Sequence, residues 1–350
     1  LQRSALSIAI LSSFLTPFVG SSVNIALPSI GEAFAADAVT LSWIATAYLL
    51  ATAVSLVPFG RLADIRGRRR IFAWGIGIFT LSTLLAGLST SIGLLLFWRV
   101  VQGVGSAMIF ATGIAILTSA YPPGERGRAL GISVATVYIG LSLGPFLGGI
   151  LVQNFTWRSV FIVLVPLGLF TLWVALYRLK AEWAEARGER FDIIGSLIYG
   201  GSLIGLMYGI TLLPRPCCVW LIGVGVLGLA GFVFWEQRVA HPVFEVRLFK
   251  GNRAFAFSNL AALLNYSATF GVTFLMSLYL QYIGGLTPQG AGAILIAAPI
   301  TQALLSPFAG RLSDRIEPQI VASAGMILTT TGLLLLSLVG AGTSHGSIVA

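Results

Sequence analysis

The sequence predicts an all-α polytopic membrane protein, and three observations predict it. Of 350 residues, 57% are hydrophobic and only 9% are charged, against roughly 25% charged in soluble domains. Uncharged apolar runs of about 20 residues or more, the length that crosses a bilayer core, recur along the whole chain. Lysine and arginine fall almost entirely in every second interval between those runs.

Cutting the chain at charges and turn clusters places eleven spans, at residues 5–30, 40–60, 71–89, 92–120, 128–152, 157–178, 193–213, 217–236, 255–283, 289–310 and 319–341. Residues 347–350 open a twelfth. The first run is too long for a signal-peptide core and is followed by many others, so it reads as a retained span. Because the chain starts at Leu1 and stops in apolar sequence at Ala350, a C-terminally truncated piece of a longer protein is expected.

Orientation follows from the bias of Lys and Arg toward cytoplasmic loops. With the N-terminus in the cytoplasm, Arg3, the five arginines of 61–70, the pair 126 and 128, four cations of 178–190, four of 238–253, and Arg311 and Arg315 all fall inside. That is 18 of 21, with Arg158 and Arg215 outside and Arg99 within a span. The split also accounts for the +9 net charge, so no nucleic-acid partner is needed; the partner is the lipid bilayer. Adjacent Cys217 and Cys218, and His241 and His345 in distant loops, form no metal-ligand set. No Gly-x-x-x-x-Gly-Lys-Ser/Thr loop is present to cradle a nucleotide. No metal, cofactor or ATP drive is therefore expected.

A charged hinge organises the chain. Gly60-Arg-Leu-Ala-Asp64-Ile-Arg66-Gly67-Arg68-Arg69-Arg70-Ile71 lies between spans two and three, after Pro58-Phe59. A shortened echo, Gly310-Arg311-Leu-Ser-Asp314-Arg315, follows Pro307-Phe308 after span ten. A six-plus-six duplication would place the echo after span eight. Two extra helices must therefore separate the halves, which implies fourteen in the complete protein. The organisation expected is a six-helix bundle at 1–178, a cytoplasmic linker at 179–192, two linking helices at 193–238, a cytoplasmic loop at 239–254, and an incomplete C-terminal bundle at 255–350.

Three further patterns bear on chemistry. Gly140, Gly144 and Gly148 recur every four residues with Pro145 and Gly149 among them, a face that lets another helix approach closely. Arg99 lies about 12 Å inside span four at 1.5 Å per residue. A charge at that depth faces protein or water and marks a pathway, unless it snorkels outward. Gln102, Gly103 and Ser106 share its face. Ser13, Thr16, Gly20 and Asn24 form a weakly polar stripe on span one, and Asn265 and Tyr266 supply similar groups in span nine; such residues also serve as glue between helices. All twelve Asp and Glu lie in loops or at span edges.

Five motifs in chain order resemble the major facilitator superfamily, and within it the fourteen-helix drug:proton antiporter branch. They are the hinge at 60–71; Arg99-Val-Val-Gln102-Gly103-Val-Gly105 of helix four; Gly140-Leu-Ser-Leu-Gly144-Pro145-Phe-Leu-Gly148-Gly149 of helix five; Val23-Asn24-Ile-Ala-Leu-Pro28; and Trp157-Arg158…Phe161…Pro166-Leu-Gly168. The resemblance covers essentially the whole chain. It implies the major facilitator fold, with about eleven of fourteen helices present, in the bacterial inner membrane. The implied protein is no enzyme but a monomeric secondary transporter that exports drug-like or metabolite small molecules by alternating access, coupled to protons.

Residue by residue, the resemblance makes the two hinge copies a cytoplasmic gate: Gly60, Arg61, Asp64, Arg66, Gly67, Arg68 and Arg69, then Gly310, Arg311, Asp314 and Arg315. The bland reading of those arginines is topology and contact with lipid headgroups. Asn24, Arg99, Gln102, Asn265 and Tyr266 would line the transport path, and the helix-five glycines would carry antiporter packing. Two positions depart from the pattern: Val19 stands where helix one usually carries an acid, and Leu164 where asparagine is usual. Without that acid, Glu32 or Asp37 at the outer mouth, or an acid elsewhere, would have to take the proton. Two alternatives stay open: an organic-anion facilitator or exchanger built on Arg99, and a non-transporting sensor or decayed copy.

Overall fold

The computed structural model describes residues 1–213, 217–286 and 288–337. Among them, ten helices are long and apolar enough to cross a membrane. The chain runs α1 (Gln2–Phe34), α2 (Ala38–Arg66), α3 (Arg68–Gly87), α4 (Ile92–Ala120), α5 (Arg126–Asn154), α6 (Ser159–Ile162), α7 (Leu164–Tyr177), α8 (Ile193–Thr211), α9 (Cys217–Glu236), α10 (Arg247–Gly251), α11 (Arg253–Leu278), α12 (Pro288–Leu295), α13 (Ala297–Ser313) and α14 (Pro318–Ser337).

The expected spans correspond to these helices, with three local differences. Span six is broken at Val163 into α6 and α7. Span nine ends in a wide π turn at 279–283, and span ten is divided between α12 and α13. Helix α11, which carries Asn259, Asn265 and Tyr266, corresponds to span nine. Residues 338–350, with the proposed twelfth span and His345, and Arg215 lie outside the described residues.

Short-range chemistry sets the joints. Ala35 adopts left-handed φ 48° to close α1, and its amide returns to Gly31 O. Asp37 then starts α2, its Oδ1 accepting the Thr40 amide at 3.3 Å. Ser91 caps α4 in the same way through the Leu94 amide. Such caps satisfy amides that no earlier turn can reach. Between α2 and α3 a single residue, Gly67 at φ +112°, turns the chain; only glycine takes that φ without cost.

The described chain forms two compact units: Leu1–Pro122 with Leu143–Val246, and Pro123–Ser142 with Arg247–Ala350. In the first, small residues bring helices to near-backbone contact. A Cβ added at Gly105 would lie 2.7 Å from Phe79 N, and one at Gly103 would lie 2.5 Å from Tyr48 O, so α4 seats directly on α3 and α2. Gly144 and Gly148 of α5 press on Ser21 and Ser22 of α1, and Gly168 of α7 on Thr80 of α3. Fully buried Ile8, Leu15, Ile30, Ile44, Phe72, Phe79 and Phe161 fill the space between. Helix α8 rests on α2 through Tyr199 Oη donating to Ala53 O at 3.2 Å and through Trp43 against Tyr208. Helix α9 packs on α8, where Gly225 meets the Leu206 backbone. Outward-facing Trp74, Phe97, Trp220 and Leu227 are exposed. An apolar exterior of this extent is solvated by lipid tails rather than by water. In the second unit, Gly131 of α5 meets the Ser306 carbonyl of α13.

Candidate functional site: two hinges and a buried arginine

The first hinge is held from within its own unit. Asp64 Oδ1 accepts Arg68 Nε at 2.8 Å. Arg68 also reaches Glu185 Oε1 at 2.9 Å and Ser119 Oγ at 2.8 Å. Glu182 Oε1 accepts the Arg69 amide at 2.8 Å, while the Arg69 guanidinium donates to the Ala175 and Leu176 carbonyls at the end of α7. Arg61 pairs with Glu189, which also meets His241 Nδ1 at 3.1 Å. Two backbone bonds complete the seam: Arg68 N to Trp183 O, 2.9 Å, and Ala186 N to Asp64 O, 3.0 Å. Residues 182–189 thus form a turn-containing segment laid against the hinge, supplying three carboxylates to its cations. Arg66 points into the open, and Gly60 packs near Ala111.

The second hinge copy is held by a helix terminus. Asp314 accepts the Gly127 amide on Oδ1 and the Arg128 amide on Oδ2, each at 2.7 Å. Both donors belong to the first turn of α5, where amides have no partner inside the helix and a carboxylate is favoured by the helix dipole. Gly310 and Gly127 let the two chains meet, since a side chain at either would strike the other's carbonyl. Arg311 and Arg315 are exposed.

Arg99 is the largest fully buried side chain, at 0% exposure. Its Nε donates to Ile44 O at 2.9 Å and its Nη1 donates at 2.5 Å to Gln102 Oε1. The guanidinium lies 4.3 Å from the centre of the Tyr48 ring. Gln102 in turn donates to Thr83 Oγ1, 2.6 Å, and Tyr48 Oη shares a hydrogen with Ser106 Oγ, 2.8 Å. The charge is therefore solvated by neutral dipoles and a ring face, with no carboxylate within ion-pair distance among the described residues.

The remaining expected site residues are more scattered. On α1, Thr16 is buried, whereas Gly20 faces open space and Asn24 is exposed. Asn265 is half-buried and Tyr266 exposed on α11, near Tyr138 of α5. Gly140 and Gly148 are buried with Gly144, but Gly149 has open space around it. Sequence reasoning missed Thr83 and Ser119, for which no signal exists beyond their polarity. It also treated Glu182, Glu185 and Glu189 as a linker, although three acids next in composition to five arginines were a legible sign of pairing.

The two acids that flank the α1–α2 joint are not buried. Glu32 and Asp37 are exposed. The Thr40 hydroxyl and then its amide hold the Asp37 carboxyl below its ordinary range, so it stays ionised at neutral pH.

Helical throughout its described residues, with an apolar, lipid-facing exterior and ten helices able to span a bilayer, the chain is a multi-pass membrane protein in class. The chain belongs to the Major Facilitator Superfamily, whose family model matches residues 9–350. Among its relatives, the multidrug resistance protein Stp of Mycobacterium tuberculosis is 32% identical over 90% of this chain and 59% of its own length. The tetracenomycin C resistance and export protein of Streptomyces glaucescens is 32% identical over 89% of this chain and 59% of that protein. The riboflavin transporter RibZ of Clostridioides difficile is 30% identical over 94% and 72%. The chain spans a little under two thirds of the length of the first two. A solved structure of the proton:xylose symporter XylE shares the fold, with a TM-score of 0.58 at 12% identity, covering 88% of this chain and 68% of that one.

Proposed function

We propose that the chain is the greater part of a secondary transporter that exports drug-like or metabolite small molecules by alternating access. The reading rests on the grip of Asp314 on the start of α5: two short, charge-assisted bonds to a helix N-terminus, made by the second copy of a motif whose first copy is held by a different partner set. A contact of this kind forms or breaks as a unit, which suits a gate between two states. The arginine distribution supports a cytoplasmic N-terminus, and with it a cytoplasmic position for each hinge. The six-helix, two-helix and C-terminal divisions of the chain, and the path through Asn24, Arg99, Gln102, Asn265 and Tyr266, belong to the same proposal. Export is favoured by the relatives named for resistance and export.

Energised vesicles containing the complete protein test it directly. Dye efflux should require a pH gradient, and Asp64→Asn or Asp314→Asn should reduce it at unchanged expression. Gradient-independent transport, or full activity in both variants, would remove the proposal.

A second reading is favoured by Arg99, whose charge has no fixed carboxylate among the described residues. An anionic or zwitterionic cargo would supply one. Arg99→Gln should then lose anionic cargo selectively; undiminished export restricted to cations would end that reading.

A further inference from the structure

Apart from the hinges, one acidic side chain is buried at the end of an apolar helix. Glu236, the last residue of α9, is 2% exposed. Its Oε2 accepts the Phe244 amide at 3.1 Å, but its Oε1 is buried without a hydrogen-bond partner. Across from it stands Asp192, the N-cap of α8. A Cβ added at Gly195 would lie 2.5 Å from both Asp192 Oδ2 and Glu236 Oε1, so the two oxygens face each other over the space of one missing methyl group. Asp192 is well supplied with donors: Gly195 N reaches Oδ1 at 2.9 Å and Trp235 Nε1 reaches Oδ2 at 2.8 Å. Glu236 Oε1 is not.

Two carboxylates this close, one of them buried, do not both stay ionised without a cation or a proton to offset their repulsion. No group of three or more metal-ligating side chains exists among the described residues, and Arg61, a cation within electrostatic reach, is paired with Glu189. The geometry points to a proton-binding site in which Glu236 Oε1 carries the hydrogen on the side that faces Asp192 Oδ2. The charged groups around it are Arg61 of α2, which is within electrostatic reach and whose buried Nε is also unpartnered, Glu189 of the linker on Arg61, and His241 on Glu189.

The site has a readable consequence. With the proton in place, the pair carries one negative charge and Arg61 remains on Glu189. When the proton leaves to bulk water, a second negative charge appears beside Arg61 and competes with Glu189 for it. Proton occupancy at the foot of α8 and α9 thereby sets how firmly the linker grips the first hinge. None of this depends on transport, and it is read without it.

Infrared difference spectroscopy on the complete purified chain tests the site, because a protonated carboxyl group has a C=O stretch separate from that of carboxylates. A deuterium-sensitive band is expected at neutral pH, to be lost on titration to alkaline pH and missing in Glu236→Gln. That variant keeps the acceptor for Phe244 and donates an amide hydrogen to Asp192, so it should fold as the protonated form does. Gly195→Ala, which forces the oxygens apart, should shift the titration, and Trp235 emission should follow the band. His241→Gln should leave the band in place. Absence of a protonated carboxyl at neutral pH in the unmodified chain, or its persistence in Glu236→Gln, overturns the inference.

Discussion

Asp314 holds the amide of Gly127 at 2.7 Å with one oxygen and that of the next residue with the other. The pair joins the end of α13 to the start of α5 through one side chain.

Asp314→Asn tests how much that junction contributes. An amide has one acceptor and presents its NH2 to the second backbone N–H, so one bond is lost and a donor faces a donor. Hydrogen bonds to a charged group contribute about 1.5–3 kcal/mol, and partial exposure favours the lower end. Thermal unfolding of the purified chain should fall accordingly. Arg315→Gln, at an exposed position one residue on, should leave it unchanged.

Glycine substitutions should sort by what they meet. Gly105→Ala pushes a methyl against the Phe79 and Gly75 backbones, which cannot rotate away. Overpacking of this kind costs about 1–3 kcal/mol or more. Gly144→Ala meets Ser21 Oγ first, so Ser21→Ala should recover part of its loss. At Gly149 nothing lies within 4 Å, and Ala should be neutral. Expression and melting temperature in one detergent give the order.

Arg99 is expected to be intolerant even of lysine. An ammonium cannot serve Ile44 O and Gln102 Oε1 in the plane the guanidinium uses, nor lie flat on Tyr48. Each buried acceptor left bare costs about 1–3 kcal/mol. Arg99→Lys should lower the melting temperature, and Gln102→Leu, which strands Arg99 Nη1 and removes the donor to Thr83 Oγ1, should do the same. A double variant that loses much less than the two single losses added would show that they act as one network.

Acid should release one cap in particular. The folded Asp37 carboxyl titrates below its ordinary value because the Thr40 hydroxyl and amide favour the charged form. Its contribution is therefore complete above the unfolded carboxylate value of about 3.9 and is lost as pH falls through the lower folded value. Exchange of the Thr40 amide hydrogen should be protected at mildly acidic pH and become faster only in stronger acid. Asp37→Asn should remove that dependence.

How far the sequence could be read differs by residue. Helix positions were legible because a bilayer requires a fixed apolar length, and α4 was placed without error. The pause at Val163 was hidden in an unbroken apolar run, although Pro166, which has no amide hydrogen to return to the Ile162 carbonyl, marks it; Val163 itself keeps helical angles, φ −61° and ψ −25°. Arg99 announced itself as a charge in an apolar run, yet its solvation by Tyr48, Ile44 and Gln102 depends on how α2 and α4 are paired. Glu236 gave no warning. It looked like any residue at the edge of a span, and only the turn that follows α9 closes over it.

The seam at 182–189 changes what that segment is for. A stretch rich in charge between two helical groups suggests a slack spacer, whose length and composition matter little. Here it is stitched to the hinge by backbone as well as side chain, while α8 sits on α2 just beyond it. Residues inserted after Trp183 should pull Glu185, Ala186 and Glu189 away from their partners on the hinge. Fusions and labels should be kept out of 182–189.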